Sequence, residues 1–489
     1  MHTFVSTTLG RAARLTVALA VLALAVVAQT PSLTTIYSFT GAGGGYTGAG
    51  VVFGTGAHST SLFGTTPHGG SANFGTAFEL TPGATWSQTV LYNFQGGNDG
   101  ASPLAALTPG KGGVLYGTTS AGGNSGNGTV FQLTPPAKTG DSWTETVLYN
   151  FQGNGADGTV DVNGTTVTLT SGSSFVTGTA WNGVSVVIGT ATYTVANVVS
   201  SSVLTLTTSA GTQTGVLYST ADGSGPAASV TLFPNGKLYG TTFGGGALYE
   251  NGAINGGFGT VFELTPPAGG TGAWTETLVY VFGSGKFGSG PASEVIAYKG
   301  NLYSNTCCGT VGGTVFKLTP PGEAGGEWAK PPVYSFSSGE VGENPIGGLA
   351  INADGVLYGT TIEGGADGQG IIFSLTPTTK GKPYTLTTIH TFTNGTDGGA
   401  PYGGVVLGPN GVLYATVTTG CDFSAGGVLQ FTPPTGSGPW TETVLYSFTG
   451  GSDGSQPVAG VTLGSNNALY GTTEFDGASG YGTVYELIP

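Results

Sequence analysis

Five carboxylates stand in glycine-rich stretches where acid–base chemistry could be carried out: Glu363, Asp367, Asp422, Glu474 and Asp476. Glycoside hydrolysis needs two such groups a few ångströms apart, one of them desolvated. Spacing in the chain does not establish that, and a solvated acidic loop has the same composition. Three further acids, Asp99, Asp397 and Asp453, each precede glycine. They could ligate a cation or a sugar, but Asp-Gly is also the signature of a turn in which the carboxylate caps its own backbone. Recurrence favours the turn. No serine or cysteine nucleophile has a partnered histidine among His58, His68 and His390 at the level of sequence, and triads are recognised by geometry rather than by order in the chain. Three cysteines, Cys307, Cys308 and Cys421, leave at least one thiol outside any intramolecular disulfide. Either Cys307 pairs with Cys308, or Cys308 reaches Cys421. Tyr249, Phe423, Phe475 and Tyr481 are aromatic residues in variable segments and suit sugar stacking. Trp86, Trp143, Trp274, Trp328 and Trp440 recur in register, which points to packing.

What positions these residues is a repeat. The cassette Leu-Tyr-Gly-Thr-Thr begins at Leu115, Leu238, Leu357 and Leu469, as LFGTT at Leu62, and in altered form at Leu302 and Leu413. Each copy leads through a glycine-rich run to a second cassette such as Gly128–Pro135, then to a third such as Trp143–Phe151. A period near fifty residues holding four short apolar runs is that of a β-propeller blade. The chain opens on the third cassette (34–40) and closes on the second. The two fragments together complete one blade, and a closed ring leaves no strand edge exposed. The expected fold is therefore all-β, a seven-bladed β-propeller closed by pairing of its N-terminal strand with its C-terminal blade. Blade six is expected to comprise Tyr402–Gly408, Leu413–Thr418, Gly427–Thr432 and Thr441–Phe448.

One interval between cassettes is 123 residues long. The tripeptide Ala156-Asp157-Gly158 returns as Ala221-Asp222-Gly223, and removing the 65 residues between the copies restores a blade spacing of 58. The intervening β-branched runs read as a small inserted β module. The expected organisation is a leader over 1–28, propeller over 29–156, insert over 157–222 and propeller over 223–489.

Arg11 and Arg14 precede an apolar run, Leu15–Val27, with small residues after it, the pattern of a secretory signal cut near Ala28. Removing it leaves nine lysines against twenty-five acids, a net charge of −16. Nucleic-acid binding requires a cationic footprint and is excluded as an expectation, as is docking on an anionic membrane. No membrane span is expected in the mature chain, and the protein is expected to be secreted, extracellular or cell-surface, and monomeric.

The combination LYGTT…GTVF-x-LTP…WTETVLY-x-F…DG-x-x-P, from about Thr34 onward, resembles the GloVer-type tandem repeat of exported "choice-of-anchor" bacterial proteins. The resemblance implies export and surface attachment, without an enzymatic activity. The chain stops at Pro489 with no C-terminal anchor, which makes release the simpler expectation. The insert, through Val-Asn-Gly-Thr-Thr-Val-Thr and Tyr193-Thr194-Val195-Ala196, resembles β modules of phage-tail and adhesion proteins.

Antiparallel strands alternate in direction, so the loops after strands two and four share one face. That face collects Tyr249, Asp422, Phe423, Glu474, Phe475, Asp476 and Tyr481, and these are the expected ligand-binding residues. Extracellular polysaccharide or a cell-surface component is the expected partner. A polysaccharide lyase or hydrolase at the channel mouth and a purely structural surface component are the alternatives. No cofactor is called for, calcium being the one ion the acidic loops would suit.

Overall fold

A computed structural model describes residues 30–489 apart from 139, 154–156, 173–174, 176–184, 190, 221, 251–252, 271, 284–287, 310–311, 323–327, 330–331, 338, 340 and 379–382. The leader expected over 1–28 lies outside the described residues. Seven four-stranded antiparallel sheets form the blades of a propeller. Blade I comprises Val52–Phe53, Leu62–Thr66, Thr76–Thr81 and Ser87–Asn93. Blade II comprises Thr108–Pro109, Leu115–Thr119, Thr129–Thr134 and Thr144–Asn150; blade III, Thr231–Leu232, Leu238–Thr242, Thr260–Thr265 and Thr275–Val281. Blade IV runs from Ile296 to Ser335, blade V from Ala350 to Thr391 and blade VI from Val406 to Ser447. Blade VII takes Thr462–Leu463, Leu469–Thr473 and Thr483–Ile488 from the end of the chain and Ser32–Ser38 from its start.

The closing pair is antiparallel, with Leu33 opposite Leu487, Thr34 opposite Glu486 and Thr35 opposite Tyr485. The ring therefore closes as the cassettes require. One expectation needs correction. Innermost strands are much shorter than the apolar pattern suggests: in blade VI only Val406–Leu407 is ladder, not Tyr402–Gly408. Residues 402–405 run along the channel, where their backbone meets neighbouring blades instead of their own strand two.

The recurring cassette is explained by what each of its letters touches. Its first threonine reaches the innermost segment of the following blade. Thr65 Oγ1 donates to the carbonyl of Ala105 (2.8 Å), Thr118 to Ala228 (3.0 Å), Thr360 to Gly403 (3.0 Å) and Thr416 to Ala459 (3.0 Å). Thr472 donates to Ala49 (2.9 Å) and so carries the same clasp across the closure. In blade IV Asn305 takes the place of threonine and donates Nδ2 to Gly347 (2.7 Å). The second threonine pairs with strand three, as Thr66 does with Thr76 and Thr473 with Thr483, both at 2.9 Å.

The cassette glycine leaves room for a ring from strand three. A Cβ on Gly117 would stand 2.4 Å from Phe131 Cζ, and one on Gly240 the same distance from Phe262. Where strand three offers Leu429 instead, the cassette carries Ala415. The cassette tyrosine packs on the strand-four tryptophan of the next blade: Tyr116 on Trp274, Tyr239 on Trp328, Tyr358 on Trp440, and Tyr470 on Trp86 across the closure. The tryptophans are thus blade-to-blade packing, as their register predicts. The phenylalanines ending strand four meet strand three of the next blade edge to face, Phe94 on Phe131 and Phe448 on Tyr485 at 5.1 and 5.2 Å.

The insert is a closed six-stranded barrel over Asp157–Thr220. Its core, including Val160, Phe175, Val195, Leu204 and Tyr218, is continuous with Tyr149 and Phe151 of blade II and Phe262 of blade III.

Candidate functional site

The loops after strands two and four do share a face, and the backbone ties them together. Within each blade the segment leading in from the preceding blade bridges the loop after strand two: Gly45 with His68, Ala101 with Ala121, Ser224 with Gly244, Ser289 with Cys308, Glu343 with Glu363, Gly399 with Thr419 and Ser455 with Phe475. These loops are therefore held to a rigid disc, the usual platform for recognition.

The recurrent Asp is a turn-builder. Asp99 Oδ2 accepts from the Tyr92 hydroxyl (3.0 Å) and the Gln95 N–H (2.8 Å). Asp453 repeats this with Tyr446 and Thr449, and Asp397 with His390 and Thr393. His390 thereby does the work of the tyrosine it replaces. Asp222, the last residue of the expected insert, is a fourth member: it accepts from Tyr149 and Gln152, both at 2.9 Å. The repeated tripeptide around it was the signal in the sequence.

The seven candidate residues divide. Phe475 and Tyr481 pack edge to face on Tyr46, at 5.7 and 5.5 Å, and Tyr46 N–H donates to the carbonyl of Tyr481. Tyr46 also meets His68 at 5.8 Å. This cluster sits where the N-terminal and C-terminal segments meet, so it also locks the closure. Glu474 is half-buried beside it: burial pushes its carboxyl up, and His68 opposes that shift. Asp476 accepts a hydrogen bond from the Ser455 hydroxyl. By contrast Asp422 is exposed and Phe423 is 58% exposed. Tyr249 lies in a hairpin, Ala247–Glu250 with Ala253–Gly256, opposite Ile254; its side chain is outside the described residues. Tyr46 and His68 were not distinguishable in the sequence, because both fall in ordinary repeat segments; blade I brings the two together, and ring closure brings Phe475 and Tyr481 onto Tyr46.

Other exposed residues of the same face were also missed. Phe74, Phe243 and Phe258 lie in loops after strand two, and Leu104 and Tyr402 on the segments leading into strand one, all substantially exposed. Among the described residues the other exposed large apolar side chains, apart from Phe423, are Val199 and Leu217 of the barrel. Cys307 and Cys308 form a disulfide with each other, beside Gly290 and Phe243. Cys421 is a buried free thiol, pushed up to about 11 by burial and then by Asp422.

A central channel of about 270 Å³ opens between the Leu104 and Tyr402 segments. Consecutive residues of each innermost segment line it. At its middle level stand Gly50, Gly348, Gly404 and Gly460, with Ala106 and Ser229 in two blades and Glu294 in the remaining one. Among the described residues, no group of three or more His, Cys, Asp or Glu side chains is gathered as metal ligands. No helix among them is long and apolar enough to cross a membrane.

These features define a seven-bladed propeller of the repeat type, with an aromatic-studded loop face and a narrow channel lined by small residues and Glu294. The chain belongs to the Gloeobacter/Verrucomicrobia repeat family, whose model matches residues 24–192, 185–426 and 255–485. No curated protein matches the chain. Among solved structures it is similar to a putative 6-phosphogluconolactonase from Bacteroides uniformis at 14% identity and TM-score 0.35, covering 78% of this chain and 94% of that one. It is also similar to a putative oxidoreductase (glucose dehydrogenase) from Thermus thermophilus at 16% identity and TM-score 0.38, covering 79% and 94%. An alpha-L-arabinofuranosidase from Clostridium thermocellum is similar at 13% identity and TM-score 0.30, covering 50% and 80%. Likenesses this distant carry nothing about activity.

Proposed function

We propose that this chain is an exported binding protein that recognises carbohydrate or another surface polymer through its loop face. The observation that carries the reading is the distribution of exposed rings. Phe74, Phe243, Phe258, Tyr402 and Phe423 are exposed on one face of a rigid disc, and loop residues held on a rigid scaffold are where recognition concentrates. Flat rings spaced across a polar, glycine-rich surface suit the C–H faces of successive sugar units, and neighbouring loop backbone supplies donors and acceptors. The overall negative charge argues for a neutral or cationic polymer over an acidic one. Hydrolase chemistry needs two carboxyls, and among the described residues the channel lining offers Glu294 alone, so binding is the reading carried forward. The leader expected at the N-terminus supports export.

The test is retention of the purified protein on a panel of insoluble polysaccharides, beside variants Phe423→Ala and Phe243→Ala. The expected result is retention on at least one neutral or amino-sugar polymer, weakened about tenfold or more by each substitution. Retention indifferent to both substitutions, or none on any polymer, would refute the proposal.

A further inference from the structure

We infer that the central channel is a binding site for a protonated primary amine, whose ammonium group meets the carboxylate of Glu294 while its carbon chain rises into the apolar collar formed by Leu104, Ile346, Tyr402 and Val458. This site meets the loop face at Tyr402, but its Glu294 carboxylate takes no part in polymer recognition, and either reading can stand without the other.

The argument begins with the single departure from pattern. The middle level of the channel is glycine in four blades and a small residue in two more, yet blade IV places a glutamate there. That side chain is accommodated: its Oε1 lies against Gly348, where a Cβ would stand only 2.5 Å away. The small residues around the channel leave the carboxylate the one charged group in the lining among the described residues. Its own backbone N–H is the group that hydrogen-bonds it, and burial pushes the carboxyl up. A cation entering the channel would offset that desolvation.

The chemistry selects an organic cation over a metal ion. Calcium takes six to eight oxygen ligands, and one carboxylate is available. The carbonyls at the preceding position of each segment are already engaged. Ala49, Ala105, Ala228, Ser293, Gly347, Gly403 and Ala459 all accept side-chain bonds from the neighbouring blade. An ammonium group needs fewer partners. Two residues farther toward the loop face, roughly 7 Å by strand rise, the lining becomes Leu104, Ile346, Tyr402 and Val458, beside the smaller Gly48, Ala227 and Ala292. Leu104 and Tyr402 are partly exposed there, 39% and 43%. A charged end below and an apolar ring above fit a short alkylammonium chain. The excess of acids over lysines raises the local concentration of any cation at the mouth.

The experiment is calorimetric titration of the full chain at low salt with n-hexylammonium chloride and, separately, with 1-hexanol, which lacks the charge. The expected result is at least tenfold tighter binding of the amine, with that preference lost in Glu294→Gln. A carbon-13 spectrum of the wild-type protein labelled at glutamate carboxyls supplies a readout that needs no variant. One carboxyl resonance should shift with hexylammonium and stay still with hexanol. Equal binding of amine and alcohol, amine binding unchanged in Glu294→Gln, or carboxyl resonances that do not move would each overturn the inference.

Discussion

Tyr149 donates its hydroxyl to Asp222 across 73 residues of chain, at 2.9 Å, in the same geometry that Tyr92 uses to reach Asp99 seven residues away. A whole barrel has been threaded through a blade connection without disturbing the bond that ends it. The environment of the carboxyl has nevertheless changed. In Asp453 burial alone would raise the pKa, but the Thr449 hydroxyl and N–H and the Tyr446 hydroxyl outweigh it and the carboxyl is lowered. Asp222 is fully buried, and burial prevails over its hydrogen bonds from Gln152 and Tyr149, pushing it up to about 7.

That contrast predicts a pH dependence with a definite sign. A carboxyl whose folded pKa lies above its unfolded value holds its proton more tightly when folded. Stability from Asp222 is therefore greatest below pH 4 and is lost as pH rises toward 7, by up to about 4 kcal/mol. Glu145, also raised to about 7 by burial and then by Asp99, acts in the same direction. Chemical denaturation of the wild type and of Asp222→Asn between pH 4 and 8 checks this. The variant should flatten the fall and be the more stable form at pH 8.

Removing the donor should do the reverse. Tyr149→Phe leaves the buried Asp222 with backbone N–H donors only, those of Gln152, Gly153 and Asp222 itself, and costs about 1–3 kcal/mol. The loss should be larger at pH 8 than at pH 5, because the bond favours the ionised carboxyl. Denaturation midpoints at the two pH values decide it.

The threonine clasps should be equivalent around the ring. Thr65→Val and Thr472→Val each delete a hydroxyl bonded to the next blade, and each should cost about 1–2 kcal/mol. A negligible cost for Thr472→Val beside a full cost for Thr65→Val would show the closure to be looser than the other interfaces.

Overpacking behind the cassette is a sharper perturbation. Gly471→Ala would place its methyl 2.3 Å from the Tyr485 hydroxyl, which is itself buried with no hydrogen-bond partner among the described residues. The expected loss is about 1–3 kcal/mol, measured by thermal melting. The double variant Gly471→Ala with Tyr485→Leu should recover part of it, because the pair then copies Ala415 and Leu429.

Blade number, closure and the place of the insert were legible because they are written in repetition. Seven copies of one cassette fix seven sheets, and the split third cassette at Thr34 fixes where the ends meet. The structural duty of Asp99, Asp397 and Asp453 was legible for the same reason. Individual loop residues were not. Phe475 and Tyr481 look like Phe423 in the sequence, since all three break register, yet two of them pack on Tyr46 and the third faces water. That difference depends on a neighbour more than four hundred residues away. Glu294 was equally hidden: it occupies an ordinary repeat position, and its isolation appears only when seven equivalent positions are brought to one axis.

Closure of the ring underlies the loop face, the channel and every residue assigned to them. The direct test places nitroxide labels at Thr34→Cys and Glu486→Cys in a Cys421→Ser background and records continuous-wave spectra of frozen samples. Residues paired across an antiparallel ladder lie about 5 Å apart at Cα. The account predicts strong dipolar broadening that persists on dilution with unlabelled protein. Sharp, non-interacting spectra would place the two segments apart and contradict it.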